Sequence, residues 1–199
     1  AETWALYTNS SSLDELPLPA LAGEFQLANA ATAIMALKSL PGLITAADAI
    51  KRGLRDVRLP GRFQIIRQQP VVIVDVAHNL QAAESLASQL KAHDCAGRTR
   101  AVVAMLADKP VADVIKAVSG EIDDWYTAGL ESVPRGLSAA HMADAVERQT
   151  SDVKLCAAST VASACGQALA AAADNDRIII FGSFYTVAEA MQFFALHID

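Results

Sequence analysis

Residues 71–79 read VVIVDVAHN, an apolar run of four residues followed by a polar turn. A branched apolar run without polar alternation is typical of a strand that is buried on both faces. Residues 178–183, IIIFGS, have the same arrangement near the other end of the chain. Both segments place polar groups where a strand gives way to a helix. The exposed amides at the start of such a helix favour an anion such as a carboxylate or a phosphate.

Strands and amphipathic helices alternate on both sides of these segments. Further buried strands are predicted at 101–106, 122–127 and 153–156, and an antiparallel strand at 63–67 should precede the first of them. The intervening helices carry apolar residues at helical spacing, and Ser159 is predicted to cap the Ala-rich helix that follows it. This pattern predicts an α/β fold, a Rossmann-like, mostly parallel sheet with helices on both faces.

Residues 1–58 follow a different pattern. An extended piece at 3–8 and a polar turn lead to a helix with Leu27, Ala31, Ile34 and Leu37 on one face, and a second helix is predicted to begin at Thr45. Two helices with no sheet of their own are too little for a domain. We therefore expect 1–58 to be the tail of a domain whose body lies upstream, and 59–199 to be a carboxy-terminal domain.

Composition excludes several classes of protein. The net charge of −6 and the absence of a basic block argue against a nucleic-acid surface. No apolar run approaches the ~20 residues of a membrane span, and the amino terminus does not resemble a signal peptide. The three cysteines form no Cys-x-x-Cys pair, which suggests a reducing cytoplasm. His78 has no second ligand at metal spacing, so no metal site is predicted.

The usual catalytic signatures are missing from the sequence. No dinucleotide fingerprint, phosphate-binding P-loop, Gly-x-Ser-x-Gly elbow or His-Glu-x-x-His pair occurs. The chain by itself therefore carries no obvious catalytic centre.

Five short motifs nevertheless occur in a recognisable order: NAATA (29–33), LPGRFQ (59–64), VDVAHN (74–79), MLADK (105–109) and FGSF (181–184). Together with DWY (124–126) and PRG (134–136), they resemble the bifunctional dihydrofolate synthase/folylpolyglutamate synthase family of the Mur ligase superfamily. The resemblance runs from about residue 18 to residue 187.

The resemblance implies an ATP-dependent acid–amino-acid ligase in the cytoplasm. Such an enzyme phosphorylates the carboxylate of dihydropteroate or of a folate's terminal glutamate, and L-glutamate then attacks the acyl phosphate. It also implies an amino-terminal P-loop domain in the same polypeptide, which would supply the Mg²⁺ ligands. A monomer is expected, and the chain alone should be inactive.

The resemblance also assigns roles to individual residues. Asn29 would contact the adenine, Asp75 the ribose hydroxyls and Arg62 the phosphates of ATP. His78 and Ser183 would lie near the incoming glutamate, with Lys109 at the same cleft. Arg62 and His78 are the expected catalytic residues.

Each assignment has a simpler alternative. Asn29 could be a polar residue of a helix start, Arg62 a surface arginine and His78 a structural hydrogen-bonder. Asp75 and Ser183 could cap the helices that follow them, and Lys109 could form an ordinary surface ion pair with its neighbour. Two alternatives also remain for the whole chain: a cell-wall Mur ligase, or a Rossmann-like binding module without a catalytic partner.

Overall fold

Proline and glycine at 60–61 mark the boundary between two structural units, Ala1–Pro60 and Gly61–Asp199. The structure is a computed structural model that describes residues 2–8, 12–21, 23, 25–43 and 46–195. Each unit has its own apolar core, and each is described separately below.

The first unit contains a sheet that the sequence did not predict. Strands β1 (Thr3–Tyr7) and β2 (Ser12–Pro17) pair in antiparallel fashion. Helices α1 (Phe25–Ser39) and α2 (Ala47–Asp56) follow. The prediction of helices with no sheet was wrong because three of the six residues of β2, SLDELP, are polar and exposed, and its backbone hydrogen bonds to β1 stabilise it. Thr45, the predicted start of α2, lies outside the described residues.

The buried face of α1 also differs from the prediction. Gln26, Ala30 and Ile34 are buried, at i, i+4 and i+8, whereas Leu37 is 39% exposed. Hence the stripe that packs on Leu16, Ile50 and Leu54 is offset from the face that the apolar pattern indicated.

The second unit alternates strands and helices. Its strands are β3 (Gln64–Gln68), β4 (Val71–Asp75), β5 (Thr99–Val103), β6 (Asp124–Ala128), β7 (Lys154–Ala158) and β8 (Arg177–Phe181). Its helices are α3 (Leu80–Ala92), α4 (Val111–Val118), α5 (Ala139–Gln149), α6 (Val161–Ala171) and α7 (Phe184–Ala195).

One six-stranded sheet forms the centre of this unit, in the order β3-β4-β8-β5-β6-β7. Strands β4 to β8 are parallel, and β3 pairs with β4 in antiparallel fashion. The predicted Rossmann-like fold, with a mostly parallel sheet and an antiparallel first strand, is therefore confirmed.

Side-chain alternation along the strands produces two cores, one on each face of the sheet. In β8, Ile178 and Ile180 point to the face covered by α6 and α7. Ile179 and Phe181 point to the face covered by α3, α4 and α5. Both faces are buried, which explains why the central strands read as continuous apolar runs.

The direction of the crossovers places a crevice at the carboxyl ends of β4 and β8. The connections through α3, α4 and α5 all move across the sheet in one direction, whereas α6 returns the chain from β7 to a position between β4 and β5. Because crossovers share one hand, the returning helix lies on the opposite face. Neighbouring strands whose helices leave to opposite faces open a crevice between them, the usual place for a ligand in such sheets.

Candidate functional site

Arg62 lies in a tight turn whose backbone is held on both sides. Gly61 and Phe63 both have positive φ, 72° and 40°. The Gly61 carbonyl accepts from Val76 N at 2.8 Å, and Phe63 N donates to Asp75 Oδ2 at 2.8 Å. A Cβ on Gly61 would lie 2.9 Å from Val76 Cγ1, so the turn requires glycine. Among the described residues, no partner hydrogen-bonds or ion-pairs with the partly buried Arg62 side chain.

Asp75 joins this turn to the end of β4. Its Oδ2 accepts from Phe63 N and its Oδ1 accepts from Ala77 N at 2.7 Å, and the residue is only 6% exposed. Burial raises the pKa of the Asp75 carboxyl above its ordinary value. The two amides and the nearby charges of Arg62 and His78 oppose this shift without cancelling it.

Asp75 does not cap the helix that follows, contrary to the simpler alternative. The N-cap of α3 is Asn79, whose side chain accepts from Ala82 N at 2.9 Å. The two polar residues, Asp75 at the end of β4 and Asn79 after it, therefore have different partners: Asn79 caps the helix, and Asp75 binds the turn that contains Arg62.

His78 has a defined tautomer. Its Nδ1 lies 2.7 Å from the Val76 carbonyl oxygen, and because a carbonyl only accepts, Nδ1 carries a proton. In the neutral ring, Nε2 is then an acceptor. The ring centroid lies 6.4 Å from that of Phe184, so the loop after β4 adjoins the start of α7.

Ser183 belongs to a chain of hydrogen bonds that ends on β5. The Thr186 hydroxyl donates to the Ala104 carbonyl at 2.7 Å, so the Ser183 hydroxyl must donate to Thr186 Oγ1, also at 2.7 Å. Ser183 Oγ in turn accepts from Thr186 N at 3.0 Å. Ser183 thus caps the start of α7, and because its proton is already used it can only accept a hydrogen bond from a ligand.

Lys109 lies on the loop after β5, beside a second cation. Lys109 Nζ and an Arg135 nitrogen approach the same oxygen of Asp108, at 3.3 and 2.9 Å. Burial raises the pKa of the Asp108 carboxyl, but its bond to Lys109 and the charge of Arg135 together lower it by more. The pKa of Asp108 therefore lies below its ordinary value. Two cations share one carboxylate here, so this cluster of Asp108, Lys109 and Arg135 has a net positive charge.

Asn29 lies in the other unit, on the exposed face of the first turn of α1. Its Nδ2 donates to Gln26 Oε1 at 3.0 Å, and its own side-chain oxygen can still accept. The other five predicted site residues all belong to the second unit.

Register in the sheet shows which of those five come together. Asp75 pairs with Phe181 across β4 and β8, and Phe181 pairs with Val103 across β8 and β5. The loops that follow therefore lie side by side at one edge of the sheet. They carry Asp75 and His78, then Ser183, then Lys109, and the turn of Arg62 is bound to the first of them.

Sequence reasoning did not identify the supporting residues of this edge. Thr186 stands three residues after Ser183, a spacing that suits a side chain at a helix start, but its bond to Ala104 depends on the sheet order. The bond between Asp75 and the amide of Phe63 joins residues twelve apart and has no local signal.

A separate cavity of about 280 Å³ lies at the opposite, amino-terminal edge of the sheet. Buried Arg177 reaches it, but its guanidinium donates to the carbonyls of Leu90 and His93, at 2.7 Å each, and to Thr99 Oγ1. Those carbonyls end α3, whose negative dipole end stabilises the cation. The buried arginine therefore has a structural explanation, and the predicted residues lie at the other edge.

The described residues lack two further kinds of site. None of their helices combines the length and apolarity that a membrane crossing needs. Their His, Cys, Asp and Glu side chains form no group of three or more that could hold a metal ion.

Comparison with known proteins assigns the fold to a family. The sequence profile described as "Mur ligase, glutamate ligase domain" matches residues 61–184. The chain belongs to this family. The match begins at the glycine of the Arg62 turn and ends just after Ser183, so it includes every predicted site residue of the second unit.

Relatives of this Mur ligase domain are named for folate metabolism, as the motif order indicated. Dihydrofolate synthase/folylpolyglutamate synthase of Escherichia coli (strain K12) is 40% identical over 189 residues, which cover 95% of this chain and 42% of the relative. The protein of the same name from Haemophilus influenzae is 31% identical and is covered to 46%. The chain therefore spans less than half the length of these relatives.

Solved structures agree with the assignment of the Mur ligase domain. E. coli FolC in complex with DHPP and ADP has a TM-score of 0.83 at 38% identity, covering 98% of this chain and 44% of that one. A bifunctional folylpolyglutamate synthase/dihydrofolate synthase with Mn, AMPPNP and L-glutamate bound has a TM-score of 0.80 at 39% identity, covering 98% and 45%.

Proposed function

We propose that this chain is the carboxy-terminal part of an ATP-dependent ligase that adds L-glutamate to dihydropteroate and to folates. The observation that carries the proposal is the turn at 61–63, which fixes the backbone of Arg62 at the carboxyl-terminal edge of the sheet. Within the described part of the chain, no residue hydrogen-bonds or ion-pairs with its guanidinium. A fixed, unpaired guanidinium suits a polyphosphate.

The proposed reaction has two steps. The acceptor carboxylate attacks the γ-phosphorus of ATP, which gives an acyl phosphate and ADP. The amino group of L-glutamate then attacks the acyl carbon, and phosphate leaves as the amide forms. Arg62 neutralises charge that develops on the phosphates during the first step. Asn29 contacts the adenine, and Asp75 accepts from ribose hydroxyls.

The second step uses residues of the loops that follow β4, β8 and β5. His78, with Nδ1 held by Val76 O, takes a proton from the glutamate ammonium on Nε2. Ser183 accepts a hydrogen bond from the same ammonium, the only kind of bond that its cap leaves open. Lys109, in the positively charged cluster with Asp108 and Arg135, binds a carboxylate of glutamate.

The P-loop and the Mg²⁺ ligands belong, in this proposal, to an amino-terminal domain of the same polypeptide. Mg²⁺ would neutralise phosphate charge during transfer. Residues 1–58 are then the carboxy-terminal tail of that ATP-binding domain, and 59–199 form the ligase domain. Support comes from α1 and the residues after it, where the apolar side chains of Met35, Leu37, Leu40 and Leu43 are 39–53% exposed, as expected for residues that pack on a further part of the protein.

The complete enzyme is proposed to be a cytoplasmic monomer. Cys95, Cys156 and Cys165 are free thiols, which agrees with a reducing compartment. The enzyme's proposed partners are small molecules, and neither nucleic acid nor a membrane is among them.

The test is glutamate ligation by the full-length protein and by Arg62→Ala. We expect the variant to lose about 10²-fold or more in kcat, because a charged donor to the transferred phosphoryl group is gone. Its melting temperature should stay within about 2 °C, since the side chain makes no hydrogen bond or ion pair with the residues that the structure describes. Arg58→Ala, at an exposed arginine that bonds the local carbonyls of Arg55 and Val57, is the matched control and should keep full activity.

Two results would contradict the proposal. Unchanged kcat in Arg62→Ala removes the role of the guanidinium. Tight binding of a muramyl nucleotide in place of dihydropteroate would assign the protein to a cell-wall ligase instead. The 199-residue chain alone should not turn over ATP.

A further inference from the structure

The carboxylate of Asp75 bridges two backbone segments that carry the proposed catalytic residues. Its Oδ2 accepts from the amide of Phe63, the residue after Arg62. Its Oδ1 accepts from the amide of Ala77, the residue before His78. One side chain therefore connects the turn before β3 to the loop after β4.

The hydrogen bond from Phe63 N to Asp75 holds a residue whose backbone conformation is unfavourable. Phe63 has φ 40°, a region that a bulky residue rarely occupies. Its ring is 8% exposed and lies 4.8 Å from the ring of His93, so the side chain is anchored in the core. The amide of Phe63 therefore faces Asp75 only while this turn keeps its left-handed shape, and Arg62 is carried by the same turn.

We propose that Asp75 is a positioning residue that sets the places of Arg62 and His78 by binding the two adjoining amides. This role rests on the proposed function and is additional to the ribose contact. Each carboxylate oxygen has a second lone pair, so both roles are chemically compatible. The 6% exposure of Asp75 and its two short amide bonds favour the positioning role as the larger one.

The substitution that separates the two roles is Asp75→Asn. Asparagine keeps the shape of the side chain but has one acceptor oxygen, so either Phe63 N or Ala77 N loses its partner. Asp75→Asn, Arg62→Ala and the double variant would be compared with the unmodified full-length protein. Each would be assayed with ATP, 2′-deoxy-ATP and 3′-deoxy-ATP.

A positioning role predicts a kinetic pattern that a ribose contact cannot give. Asp75→Asn should lower kcat about tenfold or more when Arg62 is present and by a clearly smaller factor when Arg62 is already alanine, because only the part of the effect that acts through His78 then remains. The loss in kcat should persist with 2′-deoxy-ATP and with 3′-deoxy-ATP, because a contact to the missing hydroxyl cannot cause it there. Equal losses in both Arg62 backgrounds overturn the proposal, as does a loss confined to KM for ATP that disappears with a deoxynucleotide.

Hydrogen exchange gives a readout that does not depend on activity. In the same proteins the amides of Phe63 and Ala77 should be protected, and Asp75→Asn should accelerate the exchange of at least one of them about tenfold or more. The amide of Ile179, in the central strand β8, should stay protected in both and so report an intact fold. Unchanged exchange at both Phe63 and Ala77 overturns the proposal. If the unmodified protein shows no glutamate ligation, the proposed function fails, and the exchange result still decides the role of Asp75.

Discussion

At the scale of single residues, Gly182 permits the sharpest stability prediction. It has φ 119°, and a Cβ there would overlap the carbonyl oxygen of Ala104 and lie 2.8 Å from Met105 Cγ. We expect Gly182→Ala to lower the free energy of unfolding by about 2 kcal/mol or more, because neither backbone can move cheaply. Gly120→Ala is the control, since nothing lies within 4 Å of that position. Urea unfolding of both variants measures the difference, and equal midpoints would contradict the steric argument.

Cys165 permits a prediction about reactivity. Burial, with a smaller contribution from the charge of Glu189, raises the pKa of its thiol to about 12. At pH 8 only about one molecule in ten thousand carries the thiolate, which is the reactive form. In the double variant Cys95→Ser/Cys156→Ser, alkylation should be negligible in the folded protein and rapid in urea. Fast labelling without denaturant would show that the site opens locally.

Residue types alone predicted where the polar groups of the edge stand, but not what they bind. Asp75 and Asn79 occur in one run, and either could have been the helix cap, because both side chains accept from amides. The bond to Phe63 N decided between them, and it depends on a turn twelve residues away. The proton direction at Ser183 likewise follows from Ala104 on a neighbouring strand.

At the scale of elements, helix α6 begins with a different N-cap residue from the one predicted. The hydroxyl of Thr160 accepts from Ser163 N at 3.1 Å, whereas the sequence pattern favoured Ser159. We expect Thr160→Ala to cost about 1 kcal/mol of unfolding free energy and Ser159→Ala only a few tenths. Thermal unfolding of the two alanine variants measures this, and the reverse order would restore Ser159 as the cap.

Element types were predictable where the pattern was long and periodic. The apolar runs of β4 and β8 and the spacing of α3 and α7 identified them, because burial on both faces leaves four consecutive apolar residues in each strand, with the one charged residue at its end. Strand β2 was missed because its polar residues face solvent, and the contacts that stabilise it, its pairing with β1 and the packing of Leu16 on the two helices, involve other segments. The pairing of distant segments has no local sequence signal.

At the scale of the whole molecule, Asp176 connects the loop before β8 to the start of β5, at the amino-terminal edge of the sheet. Its oxygens accept from Arg98 N at 2.6 Å, from Ala173 N at 2.7 Å and from Arg100. Burial raises the pKa of this carboxyl, but the two amides and the charge of Arg100 lower it more, so that it lies below the ordinary value of 3.8.

The depressed pKa of Asp176 predicts how the free energy of unfolding depends on pH. Because the folded pKa is depressed, Asp176 stabilises the fold at pH values above 3.8, and the contribution is lost as the pH falls through the folded value. The difference in unfolding free energy between the unmodified protein and Asp176→Asn should therefore narrow below about pH 4. Asp174→Asn, at an exposed neighbour, is the control. A difference that stays constant from pH 7 to pH 3 would contradict the linkage.

The position of β8 has a consequence for synthesis on the ribosome. Residues 177–181 come late in the chain, yet they separate β4 from β5 in the middle of the sheet. Until they emerge, β3 and β4 have no hydrogen-bonded connection to β5, β6 and β7, and both halves leave apolar edges open. Nascent chains of this kind are candidates for chaperone binding, because their sheet is completed only by contacts between distant segments and their apolar strands stay exposed until then. Release of the last strand should close the sheet in a single late step.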